Sequence, residues 1–582
     1  TDFTTYVDGM PLNFRSHGHG QGYLDVNGLL PETVDRIDYR KGTYRADTGD
    51  FSVAAASFIR TIDRLDESYV ALEGGEYSWQ RLAAGGTVEL ENGGAWTVLG
   101  EVKSYDGPWE LHEGLEHVSL WTKYLLPTDF GDLALTLSAY EGDWHPTEQI
   151  PERVVGSGVC PDVFCTLDPT ADGNTSRWIA TAIMSGADWN ATAYVQSYDW
   201  YMQSNPTYEA QVNQFDKRTT IGGRYDSSII AEANLELDWG ADFRYDDIGP
   251  VGLDDYDAGQ FVQNISDNDI KETSYGVYAE VTLIPTDSLR ILAGVRADYF
   301  DFDVTANQPG TVTPDSPGSV AGSDSDSRVS PKLGVAYAIG GIVELYGNWG
   351  KGFHSNDARG VVSPVAPVPG VSPAEGYEAG ARFEVGDFKF TATRWWLEQD
   401  SELIFVGDSN SVEPKGASER DGYELTMFWR PVEWLGVDAV YTDNTARYVD
   451  NPDGIYIEGA VEHAGQFGIA ATRNYWEASM RIRYLGPYAL TPDNAQRAAT
   501  TTGVNFRGAY SFERVELYAE LLNAFDDDGK DIVYWYEAYV EGYDDVVNSA
   551  ASIDDIDCDV LNCRMSRARE PRTLRVGLKY KF

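Results

Sequence analysis

The sequence predicts an all-β protein, an antiparallel transmembrane β-barrel of about 22 strands with a partial mixed α/β plug in its lumen, within the range of large single-chain barrels. Three observations predict it. At the end of the chain Leu574, Val576, Leu578, Tyr580 and Phe582 alternate with Arg575, Gly577, Lys579 and Lys581, and successive side chains of a strand point to opposite faces. No run of about 18 or more apolar residues is present to form a membrane helix, and in lipid only a helix or a closed barrel satisfies the whole backbone. Short turns also alternate with long polar connections along the chain, as in barrels whose tight turns share one rim.

In chain order, residues 1–57 do not read as barrel. They hold Tyr6-Val-Asp-Gly-Met-Pro-Leu-Asn, a turn-rich Ser16-His-Gly-His-Gly-Gln-Gly-Tyr, a helix-like stretch from Leu29 to Arg36 and an extended Ile37-Asp-Tyr-Arg-Lys-Gly. This small mixed α/β segment is assigned to the lumen, because a barrel of this size is too wide for its own side chains to fill. Residues 58–582 are assigned to the barrel, with about nine strands between Phe58 and Glu236 and thirteen from Val277 to Phe582, each boundary placed to within roughly two to four residues. Val277–Leu283 and Leu289–Tyr299 make one hairpin around Pro285-Thr-Asp-Ser; Tyr377–Val385 turns at Gly386-Asp387, and Tyr423–Trp429 turns at Pro431-Val-Glu-Trp. Between hairpins, residues 141–176, 240–274, 300–328, 351–374 and 526–571 are rich in Gly, Pro, Asp and Ser and are expected to be loops.

Composition excludes several function classes. A formal charge of -49 leaves no basic surface for nucleic acid, since phosphate recognition needs clustered Lys and Arg. With 36 Tyr and 16 Trp the chain is well supplied with the rings that form interfacial girdles. No G-x-S-x-G elbow and no H-E-x-x-H occurs, so no enzymatic role is expected. Thr1-Asp-Phe-Thr-Thr has neither the basic nor the apolar region of a signal peptide, so Thr1 is a mature terminus or a point inside a longer precursor. Cys160/Cys165 and Cys558/Cys563 share one spacing that fits no zinc ribbon. Two local disulfides in an oxidising compartment are favoured over metal binding or free thiols.

Several motifs in order resemble the TonB-dependent receptors of Gram-negative outer membranes. Val7-Asp-Gly-Met-Pro11 and Val34-Asp-Arg-Ile-Asp-Tyr-Arg-Lys-Gly42 are similar to plug motifs of that family. Ser330-Pro-Lys-Leu-Gly334, Gly376-Tyr-Glu-Ala-Gly380, Asp421-Gly-Tyr-Glu-Leu425 and Leu521-Leu-Asn-Ala-Phe-Asp526 are similar to its barrel motifs. The resemblance covers essentially the whole chain and implies that residues 1–57 are the C-terminal half of a plug; the Ton box and first half of the plug that open such receptors are not found among these residues. It implies an outer-membrane importer of a scarce or large nutrient, such as a ferric siderophore, that works by gated binding without a cofactor. The implied partners are that small molecule, the lipid bilayer with its lipopolysaccharide, and the TonB energy-coupling protein. A non-importing scaffold or surface-binding barrel is the alternative.

The resemblance also assigns residues. His17, His19, Gln21 and Tyr23 lie in a plug apex loop, and His354, Asn356, Asp357 and Arg359 in the barrel segment Gly352-Phe-His-Ser-Asn-Asp-Ala-Arg-Gly360; together they are the candidate ligand-binding residues. His17, His19 and His354 are an alternative metal set, although their spacing matches no ligand motif. Arg36 and Arg40 share a face of one plug strand, and Glu378 and Glu424 fall on lumen faces. The four resemble the family's buried Arg/Glu cluster locking plug to wall. Asp526–Asp531 and Asp254–Asp257 lack the EF-hand spacing and are expected to be solvated loop acids.

Overall fold

The computed structural model describes residues 2–232, 234–308, 318–365, 367–406 and 411–582. Among them 22 antiparallel strands close one barrel. Its first strand, Tyr69–Gly75, pairs with its last, Thr573–Lys581, with Leu72 opposite Leu578. Nine barrel strands precede Gln260 and thirteen follow, as the alternation of direction requires. Outward residues of the closing strand are exposed, Val576 by 51%, whereas Lys579 on the other face lies 4.1 Å over the Tyr69 ring. The face pattern read from the chain end is therefore the face pattern of the wall.

One rim carries tight turns, such as Asp129-Phe130 and Glu513-Arg514, and the other carries the long connections. Residues 145–171 and 523–572 pack on each other there: Ile150–Pro151, Arg564–Ala568 and Lys530–Trp535 form a small sheet of their own. Both expected disulfides form, Cys160–Cys165 with Cα atoms 5.3 Å apart and Cys558–Cys563 with 5.4 Å. Arg153 and the fully buried Asp544 bridge the two loops at 2.7 Å.

The lumen holds a four-stranded sheet in the order β2-β1-β4-β3, with β1 Phe3–Val7, β2 Met10–Pro11, β3 Val34–Lys41 and β4 Ala55–Thr61. β1 and β4 are parallel, Tyr6 beside Phe58, and β3 is antiparallel to β4. Phe58, expected to begin the barrel, is thus in the middle of a lumen strand, and the wall starts only at Tyr69. Alternation along Phe58-Ile59 is the same for a strand in the lumen as for one in the wall, so periodicity does not separate them. The helix-like Leu29–Arg36 is a single 3-10 turn at Pro31–Thr33, after which Val34 enters β3; pairing with β4 overrides the local pattern. The lumen segment among the described residues is therefore strand and turn, with no α-helix.

A third correction concerns residues 240–274, which are strand and not loop. Leu235–Asp257 and Gln260–Thr286 form one hairpin of 23 and 27 residues, turning at Ala258-Gly259 and placing Asp254 and Asp255 in the ladder. Likewise the strand starting at Leu289 runs to Ala306, and that starting at Val343 runs to Ser355. A strand that leaves the hydrocarbon has water or lumen on both faces. Alternation persists here, Phe243 and Tyr245 against Asp242, Arg244 and Asp246, but with charged lumen residues and a high Gly, Asp and Ser content that composition mistakes for a loop.

Candidate functional site at the lumen apex

The apex turn is pinned at its base by Phe14 and Tyr23, whose backbone groups bond at 2.9 Å. Between them Gly18 passes so close to the wall that a Cβ would sit 2.7 Å from the Phe215 carbonyl oxygen. His17 is fully buried, stacked on Tyr23 at 4.2 Å and on Phe14 at 5.6 Å, with Trp200 tilted against it at 4.9 Å. Burial, and next the Arg218 guanidinium, hold its imidazole well below the ordinary range, so it stays neutral. His19 turns to Gln214, Nδ1 to Oε1 at 2.8 Å.

Opposite stands the wall segment. After Ser355 the chain leaves the sheet and makes one turn of helix α1, Ala358–Val361, whose first turn is capped by Asp357 accepting from the Arg359 amide at 2.9 Å. Gln21 bridges the two segments in both directions: its Nε2 donates to Asn356 Oδ1 at 2.9 Å, and its Oε1 accepts from the Asp357 amide at 3.1 Å. Ser16 Oγ accepts from the Ala358 amide at 2.8 Å. The Arg359 guanidinium grips Asp357 through two bonds of 2.9 and 2.7 Å and also donates to the His17 carbonyl at 2.7 Å. Burial raises the Asp357 carboxyl, but Arg359 outweighs it, and the group stays below the usual carboxylate range.

Six of the eight candidate ligand residues thus meet at one seam, His17, Gln21 and Tyr23 with Asn356, Asp357 and Arg359. They meet in contact and not across an open chamber: His17 and Asn356 are fully buried, and Gln21 is 2% exposed. His354 goes elsewhere, its Nδ1 2.9 Å from Asp2 Oδ1 and its ring stacked on Phe51. Among the described residues no three His, Cys, Asp or Glu side chains are placed to hold a metal.

The expected lock is built from other pairs. Arg36 bonds to Asp38 at 3.0 Å and Arg40 to Asp47 at 2.6 Å, both within the lumen segment, while Glu378 accepts from Asn348 of the wall at 2.6 Å. Glu424 reaches the plug directly, through Lys41. The reason is position: β3 is the edge of its sheet, and Arg36 and Arg40 have acids of their own segment closer than the wall. Ion pairs do join plug to wall at other residues, Arg45 with the buried Glu280 at 2.6 Å and Glu32 with Arg81 at 2.8 Å, and a second fastening has no counterpart in the expected lock. Wall cations donate to lumen backbone carbonyls: Arg177 to Asp25 at 3.0 Å, Arg218 to Ser16 at 2.6 Å, Arg224 to Asp47 at 2.9 Å, Arg244 to Asn13 at 2.8 Å and Lys332 to Thr43 at 2.8 Å. Three of these arginines carry a carboxylate two residues away, Asp216, Asp226 and Asp246, as does Arg296 with Asp298. That i, i+2 spacing is legible in the sequence, because both residues share the lumen face of a strand. Gly352 admits the same docking: a Cβ there would lie 2.2 Å from Thr43 Oγ1.

A family model described as TonB dependent receptor-like, beta-barrel, matches residues 121–524, well over half of the chain. The chain belongs to this family. The fold agrees with solved structures at low identity. The ferric yersiniabactin uptake receptor FyuA from Yersinia pestis aligns with a TM-score of 0.76 and 14% identity, over 100% of this chain and 89% of its own. The siderophore receptor PiuA from Acinetobacter baumannii gives 0.77 and 12%, over 100% and 89%. The ferric citrate transporter FecA in its unliganded form gives 0.78 and 16%, over 100% and 88%. No curated protein matches the sequence.

Proposed function

We propose that this TonB-dependent receptor-like chain imports a scarce organic nutrient, a ferric siderophore or similar ligand, across the outer membrane of a Gram-negative bacterium. The observation that carries the reading is the sealed seam. A folded segment sits inside a closed barrel with its apex hydrogen-bonded to the wall, so a large solute passes only if that segment moves. The names of the aligned receptors, for ferric yersiniabactin, a siderophore and ferric citrate, support the ligand class. In this reading the long loops face the medium beside lipopolysaccharide, the aromatic wall sits in the bilayer, and TonB supplies the pull. The half-buried His19, Tyr23, Asp357 and Arg359 meet the nutrient from above. His17, Gln21, Asn356 and His354, buried beneath, hold the surface that they present.

The test is uptake of radioactive iron from a panel of ferric siderophores and ferric citrate by a host lacking its own receptors, with and without TonB. TonB-dependent accumulation of one complex is the expected result. Surface binding without accumulation in either host would refute import and favour the scaffold.

A further inference from the structure

Glu272, on the wall strand Gln260–Thr286, is 1% exposed. Its Oε1 accepts from the hydroxyl of Ser16 in the apex turn, and the same Ser16 oxygen accepts from the Ala358 amide at 2.8 Å. One plug side chain thus ties Glu272 to helix α1 across the seam. The second carboxyl oxygen, Oε2, is buried with no hydrogen-bond partner among the described residues.

The register of the wall sets Glu272 directly opposite Asp246 of the strand Leu235–Asp257. Facing side chains on such a ladder have Cβ atoms about 4.5–5.5 Å apart, and like charges so placed repel; two buried carboxylates at that spacing do not both ionise. Asp246 is the one that keeps its charge, since it takes two bonds from Arg244, of 2.7 and 2.9 Å, and a third from Thr220 at 2.7 Å. On its other side Glu272 faces the uncharged Phe302. The remaining charges turned toward it are Arg15 of the plug and Asp357 and Arg359 beside α1. Arg15 already holds Asp50 at 2.9 Å, and Arg359 holds Asp357 at 2.7 Å. Each guanidinium facing Glu272 is therefore matched by another carboxylate. Among the described residues no cation lies within ion-pair distance of Glu272 itself. A buried carboxyl left over in this way neutralises by taking a proton, and Oε2 is the atom free to hold it.

We propose that Glu272 is a proton-binding site of the seam: it carries a proton while the apex turn is docked and releases it to water when Ser16 withdraws. Docked Glu272 then binds its proton more tightly than undocked Glu272, so the seam is firmest in acid and loosens as pH rises through the titration of the docked group. One linked proton changes the open fraction by at most about tenfold per pH unit. The device is independent of which nutrient is imported. The experiment is conductance of the whole protein in planar bilayers from about pH 5 to about pH 9, with infrared spectra of the same protein in micelles at about pH 6. Passive leak of the parent is expected to rise at least tenfold across that range, whereas Glu272→Gln, whose neutral amide stands in for the protonated acid, stays at the acid level throughout. The parent spectrum is expected to hold a carbonyl band of a protonated carboxylic acid that Glu272→Gln lacks. A leak that does not change with pH, a pH profile shared by parent and variant, or spectra without that difference would each overturn the proposal. Should Glu272→Gln fail to fold, Asp246→Asn decides: with the opposing charge gone and Arg244 released, Glu272 ionises and the band is lost, and an unchanged band overturns the proposal.

Discussion

Gln21→Ala is the sharpest perturbation of the apex seam. The side chain is 2% exposed and holds two close partners on the wall, Asn356 Oδ1 at 2.9 Å and the Asp357 amide at 3.1 Å, besides a longer bond to the Ser355 carbonyl at 3.4 Å. Truncation leaves both buried groups unpaired, at about 1–3 kcal/mol each. The seam is therefore weakened by about 2–6 kcal/mol, and since about 1.4 kcal/mol is a factor of ten, the open fraction rises by a factor of about 30 or more. The wall strands carry none of this energy, so barrel assembly, read as heat-modifiable mobility in gels, stays as in the parent. The assay is passive leak, measured as conductance in planar bilayers and as vancomycin sensitivity of expressing cells. Leak in Gln21→Ala within twofold of the parent, with the barrel folded, would refute the argument that this seam closes the lumen.

Three further outcomes are expected at the loop rim. Burial raises the Glu148 carboxyl from its ordinary 4.5 to about 7, more than the Asn205 amide lowers it, with Asp168 adding to the rise. The folded loop holds that proton between those values, so its stability is greatest below about 4.5 and falls as pH rises through 7; reduction of Cys160–Cys165 by a phosphine should be faster at pH 8 than at pH 5, and Glu148→Gln should flatten the profile. Replacing Cys558 and Cys563 by Ser removes a crosslink across a five-residue separation, worth about 2 kcal/mol by loop entropy. It should speed proteolysis of residues 523–572 without changing barrel melting. Asp544→Ala strands the buried Arg153 guanidinium, whose bonds to the carboxylate are 3.1 and 2.7 Å, at about 3–5 kcal/mol. Mass-spectrometric cleavage maps should show both loops opening together, and cleavage confined to one loop would contradict the packing between them.

The wall was legible in the sequence because lipid allows few solutions. Every backbone group in hydrocarbon must be paired within the protein, so alternation at Val277–Leu283 or Leu574–Phe582 fixes which residues face out and how many crossings the chain makes. The cysteine pairs were legible for a similar reason, since five residues of separation leave each thiol near one partner. Where the lipid constraint ends, legibility ends with it. Residues 240–274 continue as strand although their Gly, Asp and Ser content reads as loop, and Phe58 alternates without being wall.

Partners across the lumen were decided by tertiary structure alone. Arg36 and Arg40 lie on one face of β3 as the spacing says, yet which carboxylate each meets depends on the edge position of that strand and on Asp38 and Asp47 nearby. The segments His17–Tyr23 and Phe353–Arg359 meet in direct contact, and their spacing did not say whether they stand apart or touch. The sequence by itself determined the period and polarity of each strand, which are local properties. Distances between a lumen turn and a wall strand more than 300 residues away depend on how the sheet seats in the barrel. Part of that seating rests on backbone carbonyls such as those of Asn13, Ser16 and Thr43, which every residue possesses and no sequence pattern marks.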